Sequence, residues 1–229
     1  MDDLWVSYED TKNDESLRQK YIDQRFNDDL PDFISGIVYD SDNSKAIKHL
    51  EDLLSNGFVD EERINGIKVE LESNQLVSRH LMRIFLSSEI FGKKIKQPIF
   101  VTKKAFANYN ETEFRKALCE HEFVHGKDLF YGIQIGNVLV NYKNSHLLQQ
   151  DTINAVFDLR ALHNQMLECV IKGEEPDGIF LQAMSGFVIY YQILKDVKPK
   201  SELETYVRNN QLEFYWNFMI PKMRVNLRN

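Results

Sequence analysis

The stretch RKALCEHEFVHGKDLFYG, residues 115–132, constrains this chain more than any other. His121 and His125 stand four residues apart, with Glu122 directly after the first. On an α-helix, residues i and i+4 lie one turn apart on the same face, so both imidazoles can reach one ion. Glu122 is turned about 100° around the axis, which puts it beside the ion instead of on it. A carboxylate in that position can take a proton from a metal-activated water. Phe114, Leu118, His121 and His125 follow at helical spacing, so the histidines prolong an apolar stripe and point inward. Gly126 comes next, where a neighbouring segment can approach closely. The bland alternative is a pair of core histidines bonded to backbone groups, with no metal.

The helix that carries the motif has a defined start. Asn110 is a good N-cap, and Glu111 and Glu113 fall in the first turn, where the helix dipole favours acids. Upstream, Ala46, Ile47, Leu50, Leu53 and Leu54 share one face of a helix within 42–58, stopped by Asn56 and Gly57. INGIKVELES, 64–73, alternates and predicts a strand; QLVSRHLMRIFLSSEIFG, 75–92, has helical periodicity. QPIFVTKKAF, 97–106, predicts a second strand that begins after Pro98. SLRQKYIDQRF, 16–26, suits an amphipathic helix, and 132–146 is a Gly- and Asn-punctuated connection with room for a short strand. Helices follow over 151–173, 178–194 and 201–219. Strands between helices, then an all-helical second half, define an α+β fold class.

Charge narrows the function classes. The net charge of the 229 residues is −7, and residues 1–33 alone carry ten acidic and four basic side chains. This acidic N-terminal arm reads as a solvated or mobile segment that could also fold over a cleft, and 34–229 as the main domain. Within that domain, a sheet-and-helix part runs to about 135 and a helical part starts at about 150. No basic footprint for nucleic acid is present. Residues 178–194 are uncharged, but they are short for a membrane span and carry Gln182 and Gln192, so a buried core helix is expected. Two cysteines, Cys119 and Cys169, make no disulfide framework, and MDDLWVSYEDTK has no signal-peptide pattern; a cytoplasmic location is expected.

Catalytic zinc takes three protein ligands and keeps one position open. The tight pattern with glycine at 128 and histidine at 131 is absent, since Asp128 and Tyr131 stand there. The candidates for the third ligand are His146, Asp158, His163 and Glu168. Asp158 lies on an amphipathic helix that can pack against the first, and Arg160 could pair with Asp128 to tie the two helices or to orient a ligand.

HEFVHGKD followed by DLRA resembles the zincin metallopeptidases of gluzincin type, in the variety with H-E-x-x-H-x-x-D and a later E-x-R-A. The resemblance covers about fifty residues, from near Glu111 to about Gln165. It implies one zinc ion on His121, His125 and Asp158, with Glu122 as general base in peptide-bond hydrolysis. Asp158 stands where glutamate is usual; it is one methylene shorter, so the helices must sit closer. The resemblance also implies a zincin-like fold, with a small twisted β-sheet packed on the active-site helix. The segment PIFVTKKAF would be its edge strand, binding an extended peptide or protein substrate. Tyr131, His146, His163, Tyr190 and Tyr191 are open candidates to steady the oxyanion. A degenerate zincin fold, used as a binding or regulatory module with a structural zinc, is the rival expectation.

Overall fold

A computed structural model describes residues 5–72, 82–173 and 177–226. The described chain is mostly helical with two small sheets. In order it runs α1 (Tyr8–Asn13), α2 (Arg18–Arg25), β1 (Ile34–Tyr39), α3 (Ser44–Ser55), α4 (Glu61–Glu72), β2 (Met82–Arg83), β3 (Gln97–Val101) and α5 (Lys103–Asn108). Then come α6 (Glu111–Lys116), a π-helical turn (Ala117–Glu122), α7 (Phe123–Tyr131), β4 (Ile133–Ile135) and β5 (Val138–Val140). Three long helices close the order: α8 (Gln150–Lys172), α9 (Gly178–Asp196) and α10 (Glu202–Asn226).

The main sheet has the order β1-β3-β2. β1 runs parallel to β3, pairing Ile37 with Ile99 and Tyr39 with Val101. β2 runs antiparallel to β3, with Met82 opposite Val101 and Arg83 opposite Phe100. Alternation along β3 divides the apolar side chains between two layers. Ile99 and Val101 join a core with Tyr8, Tyr21, Phe106 and Phe114. Phe100 points the other way, into a core with Leu50, Leu53 and Ile64 of α3 and α4. A third core unites α8, α9 and α10 with the β4–β5 hairpin.

Several expectations are corrected. Residues 64–72 are the end of α4, not a strand. Ile64 and Leu71 are buried two helical turns apart, while Val69, which created the alternation, is 64% exposed. Residues 82–92 are not helical: β2 is recruited by pairing with β3, and the following stretch is irregular; 75–81 lie outside the described residues. The strand from Gln97 ends at Val101, after which Thr102 opens α5. The acidic N-terminal segment is packed, not solvated, in its described part. Val6, Tyr8, Tyr21, Ile22 and Phe26 are buried, with the Tyr8 hydroxyl donating to the Tyr109 carbonyl at 3.0 Å. Its charges lie outside while its apolar side chains cover the sheet. The uncharged stretch 178–194 is α9, buried along Phe180, Ala183, Phe187 and Leu194 but exposed at Leu181, Val188 and Ile189. No helix among the described residues is long and apolar enough to cross a membrane.

Candidate metal centre

The motif helix begins as its sequence requires. The Asn110 side chain accepts from the Glu113 amide at 2.9 Å, and Glu113 accepts in return from the Asn110 amide at 2.9 Å. This closes a capping box. Six residues on, the helix widens into the π turn that includes His121 and Glu122. Such turns disturb the regular carbonyl ladder and recur at functional sites. Here α8 grips the turn: Asn164 Nδ2 donates to the Glu120 carbonyl at 2.9 Å, and Lys172 Nζ meets Glu120 Oε1 at 2.6 Å. On the opposite side Gly126 faces β1, where a Cβ would stand 2.2 Å from Ile34 Cδ1. Glycine lets the helix and strand approach without the Ile34 side chain having to shift.

His121, His125 and Asp158 come together, their ligand atoms all within 4.8 Å of one another. His121 Nε2 and His125 Nε2 are 3.1 Å apart, and His125 Nε2 is 3.7 Å from Asp158 Oδ1. Two ligands at ~2.1 Å from a tetrahedral zinc would be about 3.4 Å apart, a separation that these two distances bracket. Two imidazoles and a carboxylate are also a donor set that suits zinc. The three residues therefore fit such an ion. The His125 ring is fixed by stacking on Phe157, with centroids 4.2 Å apart and planes 8° from parallel. The Tyr190 hydroxyl of α9 lies close enough to Asp158 to favour its ionised form.

Glu122 is buried beside this group. Burial, and then the nearby Asp158 charge, push its pKa up to about 8, against the pull of Arg83. Asp158 keeps a quarter of its side chain exposed, yet burial pushes it up to about 7 in spite of the nearby Tyr190 hydroxyl. The site opens into a cleft of about 330 Å³. Its walls are α4, the 82–86 segment that contains β2, and α8, with Tyr190 at one side.

Of the roles open to Arg160, the structure shows the pairing with Asp128. Arg160 Nε donates to Asp128 Oδ2 at 2.6 Å, and Nη2 donates to Oδ1 at 3.0 Å. Burial raises Asp128 and the arginine fork opposes this. On the other partner burial lowers the guanidinium, and the pairing more than reverses it, leaving Arg160 raised. The bidentate geometry favours the ionised pair.

The other candidates lie elsewhere. His146 is on an exposed 3₁₀ turn, His163 packs edge-on against Phe214 and Tyr215, and Glu168 faces Lys172 at 3.6 Å. Tyr131 donates to Asp32 at 3.0 Å, and Tyr191 stacks on Phe187. Of the five oxyanion candidates only Tyr190 lines the cleft, and no described residue of 5–33 does. β3 is central, so the edge strand that borders the cleft is β2 and not PIFVTKKAF. Sequence reasoning missed Arg63, Arg83, Asn154 and Phe157 as cleft residues. Asn154 and Phe157 precede Asp158 by one turn and one residue, a spacing that could have found them.

Comparison with known proteins returned no match to any family model, curated protein or solved structure.

Proposed function

We propose that this protein is a zinc-dependent metallopeptidase with a zincin-like fold. The observation that carries the reading is the convergence of His121, His125 and Asp158, with Glu122 buried at their side. His121 Nε2, His125 Nε2 and Asp158 would hold the ion. When bound, zinc supplies a Lewis acid that brings the pKa of a water near 7 and polarises a carbonyl.

The protein's own groups do the rest. Glu122 receives the proton of the attacking water and passes it to the leaving nitrogen. Burial raises this carboxyl in the metal-free protein, and a dication held beside it would offset that and leave Glu122 ionised to receive the proton. Tyr190 of α9 lies beside Asp158 and faces the cleft, where its hydroxyl can donate to the developing oxyanion. β2 is the outer strand of the sheet among the described residues, and its edge offers backbone groups to an extended peptide. Two free thiols among the described residues support a reducing compartment such as the cytoplasm.

The test combines elemental analysis with peptide cleavage. One zinc per chain is expected in the wild type, and none in His121→Ala. Glu122→Gln is expected to keep zinc and lose hydrolysis by about 10²–10⁴-fold, the range for a general base. Zinc retained with no hydrolysis by the wild type would favour a binding module; no zinc uptake would return the histidines to the core.

A further inference from the structure

The cleft holds a group that the proposed hydrolysis leaves unused. Arg83 sits on edge strand β2 and lines the cleft that contains the three donor residues. Its Nε and Nη2 are enclosed, and among the described residues they meet no hydrogen-bond acceptor. Partly buried arginines are normally held by a carboxylate, as Arg160 is by Asp128. Asp40 and Glu122 lie near enough to act on Arg83 through charge. Neither closes a hydrogen bond on Nε or Nη2, and Asp40 accepts instead from the amides of Lys45 and Ala46. With no hydrogen bond on those two nitrogens, the guanidinium can turn towards the cleft without breaking one.

A second arginine stands on the same wall. Arg63 of α4 lines the cleft, and its Nη2 makes a long 3.5 Å contact with the Leu86 carbonyl. The charged groups of the lining are Arg63, Arg83, Glu122 and Asp158, together with the two histidines. With a dication on the histidines and Asp158, the positive charges outnumber the negative ones by two. The Nε–Nη2 edge of an arginine matches the two oxygens of a carboxylate.

Resting on the metallopeptidase reading, we propose that the substrate carries a carboxylate close to the scissile bond, and that Arg83 binds it while Arg63 attracts it at the same wall. The carboxylate comes either from an Asp or Glu side chain or from the chain's own C-terminus. In the second case the enzyme trims peptides from that end. Arg83 is then a specificity residue, while Glu122 performs the proton transfers.

The experiment uses matched peptides in two arms. One arm compares Glu with Gln next to the cleaved bond, in peptides amidated at the C-terminus. The other compares a free C-terminal acid with its amide. In one arm the wild type is expected to favour the acid by about tenfold to a hundredfold in kcat/KM, the worth of a hydrogen bond to a charged group. Arg83→Gln should erase that preference, and Arg83→Lys should restore part of it. A binding measurement runs in parallel: zinc-loaded Glu122→Gln protein is titrated calorimetrically with the same peptides. There the acid should bind tighter than its neutral partner, and adding Arg83→Gln should remove the difference.

Cleavage without preference in either arm overturns the inference and leaves the peptidase reading standing. If no peptide is cut, the peptidase reading fails and the binding titration decides the role of Arg83: equal affinity for acid and neutral peptides overturns it. The wild-type and Glu122→Gln comparisons stand even where Arg83→Gln fails to fold.

Discussion

Helices α7 and α8 face each other at two polar levels, about one turn apart. At one level Asp128 is buried and closed by the two-point fork of Arg160. At the other, Asp158 meets His125 at 3.7 Å and the Tyr190 hydroxyl, and its neighbour Glu122 is buried as well. Burial raises the carboxyls at both levels, but Asp128 is answered by its arginine fork, while Asp158 and Glu122 are pushed up to about 7 and 8. A carboxylate whose task is to join helices has its own arginine. The two at the donor level lie beside two imidazoles whose Nε2 atoms converge, an arrangement that a divalent ion would complete on the proposed reading.

The largest expected effect lies at the satisfied level. Arg160→Met should destabilise the fold by about 3–5 kcal/mol in urea unfolding, because Asp128 stays buried without its cation. A loss under about 1 kcal/mol would mean that the two levels do not differ as described. At the donor level the expectation reverses: zinc should stabilise the wild type by about 2.7 kcal/mol at a hundredfold excess over its Kd. His121→Ala should show no such gain in a thermal melt, and an equal gain there would place the ion elsewhere.

A third effect concerns pH in the metal-free protein. Glu122 has its folded pKa raised from 4.5 to about 8. Below 4.5 both the folded and the unfolded states are protonated. Between 4.5 and about 8 only the folded state keeps the proton, so stability falls as pH rises through this window. Glu122→Gln should flatten that fall, by at most about 4 kcal/mol at pH 8. An unchanged slope in melts from pH 5 to 8.5 would count against the burial of Glu122 as the cause. The smallest effect belongs to the π turn. Asn164→Ala removes the donor to the Glu120 carbonyl and should cost about 1 kcal/mol. Comparing its zinc affinity with that of the wild type reads out how far this grip positions His121.

Much of the donor level was legible in the sequence, because its signals are local. The HEFVH spacing, the Asn110 cap and the 33-residue step to an amphipathic helix with Asp158 each lie within one element or one connection. The Asp128–Arg160 tie was legible for the same reason. What stayed hidden depends on distant pairing. Met82 and Arg83 sit in a stretch with helical periodicity, and only the ladder with Val101 and Phe100 makes them a strand. The cleft wall and its arginine were therefore out of reach. In the N-terminal segment the acidic count outweighed Tyr8, Tyr21 and Ile22, whose burial needs the sheet and α5 to be in place. The π turn left no composition signal that we can identify.

The parallel pairing of β1 with β3 has a consequence for the order of assembly. Ile37 meets Ile99 only after α3, α4 and β2 have been looped out between them, and closure over such a length is slow. The helices that carry His121, His125 and Asp158 are near neighbours along the chain and form quickly. Pulse-labelled hydrogen exchange should accordingly protect α7 and α8 before β1 and β3. A nascent chain would then bring His121, His125 and Asp158 together before β3 is in place to pair with β2 at the side of their cleft.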